Sequence, residues 1–171
     1  MRFRPPLLPL ALAGLAAAPA AGVDLFTASG AWTGEGRLAT GVAAPLERGR
    51  CRVEITPAPA TGTVDVIGSC AVAAGLSEIS LKLVRGPGGA VNAGVWSAAT
   101  GQVLQYSGTE TPDRIALVAT TPLLVDGAAY DTRVDVTRPD AASFAFRQLL
   151  RPAGADAWRV VAEMTYRPTG N

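Results

Sequence analysis

Trp158-Arg-Val-Val-Ala-Glu-Met-Thr-Tyr-Arg167 has the alternation of a half-buried β-strand. Trp158, Val160, Ala162, Met164 and Tyr166 fall on one face, and Arg159, Val161, Glu163, Thr165 and Arg167 on the other. Successive side chains of a strand point to opposite faces, so this segment should bury one face and wet the other. The same pattern recurs upstream. Phe144, Phe146 and Leu150 oppose Arg147 and Arg151, and Val134 and Val136 oppose Asp131, Arg133 and Asp135. An antiparallel sheet curled around one interior produces this division.

Outward from that segment, apolar and polar residues alternate in short stretches separated by Gly, Pro, Asp and Thr. Strands are expected near 31–40, 49–57, 63–72, 76–84, 90–98, 102–108, 113–120, 128–137, 142–151 and 156–167. The turns between them include Pro57 to Gly62, Gly86-Pro-Gly-Gly89, Thr100-Gly101, Thr111-Pro112-Asp113, Asp126-Gly127, Arg138-Pro139-Asp140 and Pro152-Ala-Gly154. No connection is long enough for a crossover helix, which favours antiparallel pairing. Within 90–98, Val91, Ala93 and Val95 compete with Trp96 for the interior. The expected fold is all-β: an antiparallel up-and-down β-barrel of eight to ten strands, with a two-sheet β-sandwich as the alternative. Residues 23–171 form its single domain.

The N-terminus has three parts that together resemble an export signal. Arg2 and Arg4 give a basic start, Leu7 to Ala18 an apolar run, and Ala18-Pro19-Ala20 a small-x-small cleavage site. The run falls short of the roughly 20 residues a membrane span needs, and Pro9 and Pro19 interrupt it. No Cys closely follows it, and the arginines are not adjacent, which argues against lipid anchoring and a twin-arginine signal. Removal of residues 1–22 leaves a domain of about 150 residues, bound for the periplasm of a Gram-negative bacterium or for secretion.

Without Arg2 and Arg4, the 15 basic residues fall to 13 against 14 acidic ones. Such near-neutrality argues against a nucleic-acid partner or an electrostatic membrane binder. Only one basic residue is Lys, which fits the coding bias of a GC-rich genome. Nothing in the pattern sets an oligomeric state.

Cys51 and Cys70 lie on consecutive expected strands, and an oxidising compartment favours a bond between them. Placed directly opposite, they set Val53 against Gly68 and Ile55 against Val66, with the turn centred between Ala60 and Thr61. All these residues share the apolar phase of their strands, so the bond and the hydrophobic pattern agree. A redox role has little support, because no CxxC spacing occurs.

Gly30-Ala31-Trp32 opens the first strand, after a short segment Asp24 to Ser29 that could form a helical turn, and Arg167 ends the last strand. This resembles the calycin pattern of lipocalins and fatty-acid-binding proteins, in which Gly-x-Trp opens the barrel and a late Arg packs across the Trp. The resemblance implies a closed barrel with Gly30, Trp32 and Arg167 at its floor. Arg167 is on the outward phase, so that contact needs the strand end to curl under the barrel. With Trp32-x-Gly34-x-Gly36 and its two cysteines, the chain also resembles small exported proteins of alphaproteobacteria, a likeness that carries no function.

Catalytic chemistry finds little footing. No histidine is present, so no Ser-His-Asp arrangement can form. Asp131 and Asp135 straddle Arg133, the pattern of a solvated face, and Glu35 and Glu54 fall on outward phases. No helix follows Gly86-Pro-Gly-Gly89 to bind phosphate. No enzymatic activity, metal or cofactor is expected.

The expected ligand pocket is lined by Tyr106, Phe144, Phe146, Trp158 and Tyr166, with Gly34, Gly36 and Gly68 leaving gaps among these aromatics. The partner it suggests is a small apolar ligand, up to the size of a fatty acid. The same aromatics could instead simply fill the core. Two alternatives belong to other classes. One is a periplasmic protease inhibitor, because the two-cysteine hairpin resembles that of small one-disulfide barrels whose free N-terminus enters a secreted metalloprotease. The other is an envelope interaction or structural module without ligand.

Overall fold

The computed structural model describes residues 22–170, so the expected export signal at residues 1–22 lies outside the described residues except at Gly22. Eleven strands follow one another: β1 (Gly30–Ala39), β2 (Leu46–Ala58), β3 (Thr63–Val72), β4 (Gly75–Arg85), β5 (Ala90–Ser97) and β6 (Val103–Thr111), then β7 (Arg114–Ala119), β8 (Leu123–Val125), β9 (Ala128–Asp140), β10 (Ser143–Pro152) and β11 (Arg159–Pro168). Each pairs antiparallel with its neighbours, and β11 returns to β1 from Trp32 opposite Pro168 to Leu38 opposite Ala162. The short β8 pairs with the start of β9 as β7 pairs with its later part, so the two form one interrupted stave. The result is a closed antiparallel barrel of ten staves, consistent with a calycin-like barrel. Closure satisfies every stave on both edges.

The Cys51–Cys70 hairpin shows how the register arises. Cys51 sits opposite Cys70, Val53 opposite Gly68 and Ile55 opposite Val66, and the strands join through a short turn at Pro59–Thr61. Cys51, Val53, Ile55, Val64, Val66 and Cys70 are all buried, since a single-residue slip would turn this whole set to solvent. The cysteine Cα atoms are 4.0 Å apart and the sulfurs are bonded. In β5, Val91 and Ala93 are buried and Val95 pairs with inward Leu81, so Trp96 lies on the outward phase. Asp126 and Gly127, with φ of 50° and 78°, make the two-residue β8–β9 turn, as a primed hairpin requires.

Inward glycines let the staves coil tightly. A Cβ at Gly68 would lie 2.0 Å from the Arg52 carbonyl oxygen, and one at Gly36 would lie 2.0 Å from that of Glu163. The expected gaps at Gly36 and Gly68 are therefore occupied by the backbone of the adjacent stave. At Gly34 the space is taken by the Tyr166 ring, whose Cε1 would be 2.5 Å from an added Cβ.

One irregularity changes the alternation that opened the sequence analysis. Gln148 faces Ala162 but Leu149 faces Val160, so Val161 is an extra residue in β11. A bulge of this kind reverses the phase of everything beyond it. Ala162, Met164 and Tyr166 are buried inside, whereas Arg159 pairs with inward Leu150 and donates to the carbonyls of Val42 and Ala44.

The barrel has two unlike ends. At the floor, the segment before β1 forms a turn closed by the Ala28 amide donating to the Asp24 carbonyl at 2.8 Å, and Leu25 and Phe26 are buried beneath the strands. The mouth, at the other end, is formed by the loops 40–45, 73–74, 98–102, 120–122, 126–127 and 153–158. The outer wall carries paired charges along its waist, including Arg114 with Asp135, Arg37 with Glu163 at 3.1 Å and Arg50 with Glu35 at 2.6 Å. Such a wall suits water, since an outward Arg at a bilayer midplane costs about 2–4 kcal/mol. Among the described residues, no helix is long and apolar enough to cross a membrane.

Candidate functional site

The interior is filled at the floor and open above it. Trp32, near the start of β1, donates from its indole nitrogen to the Ser29 carbonyl at 3.3 Å and meets Phe144 of β10 at a centroid distance of 5.2 Å. Phe144 in turn stacks on Tyr166 of β11 at 4.8 Å, with the planes 10° apart. Above this aromatic pile lies a cavity of about 130 Å³. Phe144, Phe146, Tyr166 and Met164 form one side, Val53, Val66, Ile79 and Leu81 contribute the other, and Leu25 from the pre-barrel turn also lines it. Neither a carboxylate nor a cation lines this space.

A wider cleft of about 320 Å³ opens at the mouth between the β3–β4 and β5–β6 turns, and reaches Ala39, Val72 and Leu76. Leu38, Cys70, Ile79 and Ser97 line both the cleft and the inner cavity, and stand as the wall between them. The disulfide therefore braces the boundary between the interior and the mouth.

Of the five aromatics expected to surround a ligand, Phe144, Phe146 and Tyr166 do line the cavity. Tyr106 is buried elsewhere in the core, where its hydroxyl shares a 2.9 Å hydrogen bond with that of Thr132. Burial pushes the Tyr106 phenol up, against the hydrogen bonds with Thr132 and Gln148. Trp158 is not part of the cavity. It precedes β11 on the far side of the Val161 bulge, and its ring is held between the Arg133 and Arg151 guanidiniums at 4.4 and 4.6 Å. Both arginines belong to the outward phases of β9 and β10.

Tyr166 differs from Tyr106. It is buried less completely, at 6% exposed against 2%, and its hydroxyl makes none of the hydrogen bonds found among the described residues. Burial alone pushes its phenol up to about 12.

At the floor, Gly30 adopts a φ of 84°, which a glycine takes without strain, and so swings the chain from the pre-barrel turn into β1. Arg167 is exposed and paired in register with Thr33, so it does not reach Trp32. The guanidinium that covers a floor aromatic belongs instead to Arg85, 4.0 Å above the Phe26 ring. Arg85 also binds Asp24 at 2.9 Å and Glu110 at 2.6 Å, while Arg138 binds Glu110 from the other side. Burial would raise the Glu110 carboxyl, but its bonds to Arg85 and Arg138 outweigh that and hold it below the usual carboxylate range. This cluster latches the pre-barrel turn to β4, β6 and β9. Its sequence signal is the adjacent apolar pair Leu25-Phe26 ahead of the first strand, which a strand pattern passes over.

No protein-family model matches the chain, and no curated protein is similar to it in sequence. Among the described residues, no three His, Cys, Asp or Glu side chains come together as a metal site.

Proposed function

We propose that this protein is an exported carrier or sensor that holds a small apolar molecule inside its barrel. The observation that carries this reading is the partly open cavity of about 130 Å³ lined by Phe144, Phe146, Tyr166, Met164 and aliphatic side chains, beside a cleft at the mouth. An apolar cavity of about 150 Å³ in another protein stays dry and takes up benzene, so a space of this size suits a single ring or a few carbons. It is too small for a whole fatty acid. Burying roughly 200 Å² of ligand surface is worth about 5 kcal/mol before association costs.

Three further features support the reading. The Gly30-Ala31-Trp32 opening resembles that of calycins, which carry apolar molecules in such barrels. The basic-apolar-small leader and the Cys51–Cys70 bond suit an oxidising compartment outside the inner membrane. The segment that an inhibitor would need free is packed under the floor, with the Val23 amide donating to the Asp140 carbonyl at 3.1 Å and Leu25 and Phe26 buried.

Native mass spectrometry of protein from the periplasm tests this directly. The expected result is a retained mass of one small apolar compound, lost on mild activation. A bare polypeptide that also leaves the aromatic and methyl NMR signals of Phe144 and Met164 unmoved by toluene and other one-ring hydrocarbons would overturn it.

A further inference from the structure

We infer that the mouth of the barrel docks end-on against a neutral lipid surface, with Leu76, Val103 and Leu124 entering its headgroup boundary. The inference rests on the carrier reading for what passes through that contact: an apolar cargo that enters and leaves without crossing water.

Leu76, Val103 and Leu124 are 70%, 58% and 56% exposed, at the mouth ends of β4 and β6 and in β8. Ile67 and Val84, elsewhere on the wall, are single exposed apolar residues of the kind any surface carries. The three at the mouth belong together. Leu76 and Ala99 line the cleft of about 320 Å³, and Ala99 and Leu124 line a second cleft of about 420 Å³ beside it. The two clefts share Ala39, Thr40, Ser97 and Ala99, so they form one continuous opening around the turn 98–102. That turn is tied to β8: the Gln102 carboxamide donates to the Leu124 carbonyl at 2.7 Å and accepts from its amide at 3.1 Å. The inner cavity lies directly behind, since Leu38, Cys70, Ile79 and Ser97 line both it and the first cleft.

Charge decides the partner. Of all the residues lining either cleft, only Asp126 is charged, and the loops of the mouth add only Asp156. Binding to anionic lipid draws on Lys and Arg, which these loops lack, whereas binding to neutral lipid draws on apolar area alone. Trp96 pairs with Val103 on the outward phase of β5 and is half-buried, and tryptophan is a side chain that settles at the membrane–water boundary. The paired charges of the waist keep the wall in water, and the floor end gathers Arg85, Glu110, Arg138 and Asp140. Contact is therefore mouth-first. On the far side of the mouth β2 and β11 begin with Glu47, Arg48 and Arg159, so the barrel leans onto β4, β6 and β8.

Flotation with unilamellar phosphatidylcholine vesicles tests this on the oxidised wild-type chain and the double variant Leu76→Ser, Leu124→Ser. Both substitutions fall on exposed side chains, so the fold does not depend on them. Wild type should float with the vesicles at low and high salt alike, and the variant should lose about tenfold or more in partition. Spin-labelled phosphatidylcholine read by NMR gives an answer that needs no variant. The indole signal of Trp96 should broaden, and that of Trp32 at the floor should not. Absence of flotation, binding that requires added phosphatidylglycerol and vanishes in salt, or equal broadening of both indoles would each overturn the inference. Self-association in lipid-free buffer that the double variant abolishes would assign the same leucines to a second copy of the chain, and would overturn it too. Toluene uptake without flotation overturns this inference alone. Flotation without uptake of any hydrocarbon supports the docking surface and overturns the carrier reading.

Discussion

Tyr166 and Glu110 are two side chains whose ionisation should be visible in the stability of the fold, and they act at opposite ends of the pH scale. The Tyr166 phenol is pushed up to about 12 from an ordinary 10.0. Between those values the unfolded chain gives up a proton that the folded chain keeps. The contribution of the neutral phenol is therefore intact below pH 10 and is lost as pH rises toward 12, at about 1.4 kcal/mol per pH unit. Urea unfolding at pH 8 and pH 11 should show the wild type losing about 1.4 kcal/mol more than Tyr166→Phe. Parallel losses would mean that the phenol is already wet. Glu110 behaves in the opposite sense, because its folded carboxyl is held down by Arg85 and Arg138. Its contribution is present above the ordinary carboxylate range and disappears as pH falls through the lowered folded value. Replacing it leaves Arg138, whose side chain is only 5% exposed, without its carboxylate. Glu110→Gln should cost about 3 kcal/mol near neutral pH, and much less in acid, where wild-type Glu110 is protonated too. A variant as stable as wild type at pH 7 would show that the latch contributes nothing.

Among the elements, β3 and β11 show why a regular strand pattern needs local exceptions. Gly68 in β3 allows Arg52 and Val53 of β2 to approach to distances that no Cβ tolerates. Gly68→Ala should destabilise the barrel by about 1–3 kcal/mol, the usual range for forced overpacking, as read from the midpoint of denaturant unfolding. Gly41, in the β1–β2 loop with open surroundings, gives the matched control Gly41→Ala, which should change little. If both variants unfold alike, the close approach at Gly68 is not holding the stave in place. All ten staves were legible in the sequence, because their alternation runs for several residues and Gly, Pro or Asp breaks it at the turns. The β8 segment was missed because three residues between turns, Leu123–Val125, are too few to show a period. Trp158 was placed inside for a different reason. Alternation counts residues, and it cannot see that Val161 is bulged out of the count. The pocket was legible only in part: Phe144, Phe146 and Tyr166 follow from phase, whereas Leu25 reaches the cavity from a turn that no periodicity describes. Arg85 over Phe26 was equally hidden, since the pairing joins residues far apart in sequence across the floor.

At the scale of the whole molecule, a meander closed by its first and last strands depends on one distant pairing, β1 with β11, to become a barrel. Nearest neighbours along the chain form hairpins locally, but Trp32 meets Pro168 only when every intervening stave is in register. The Cys51–Cys70 bond acts at the start of this series. With a sequence separation of 19, it closes a loop of about 20 residues, and chain entropy assigns such a loop about 3 kcal/mol. That is a large share of the roughly 5–15 kcal/mol typical of a domain. The bond lies in the inner wall, so a paired Cys51→Ala, Cys70→Ala variant also loses buried sulfur packing. The expected result is a fall of at least about 3 kcal/mol in unfolding free energy with a somewhat steeper denaturant slope, since the unlinked denatured chain is more expanded and exposes more surface. Because Cys70 also lines both the inner cavity and the mouth cleft, the variant should release a bound one-ring hydrocarbon faster than wild type, measured by NMR exchange. Unchanged stability with faster exchange would make the bond chiefly a brace for the mouth. Lost stability with unchanged exchange would confine it to holding the β2–β3 register, and would place the route to the cavity elsewhere on the barrel.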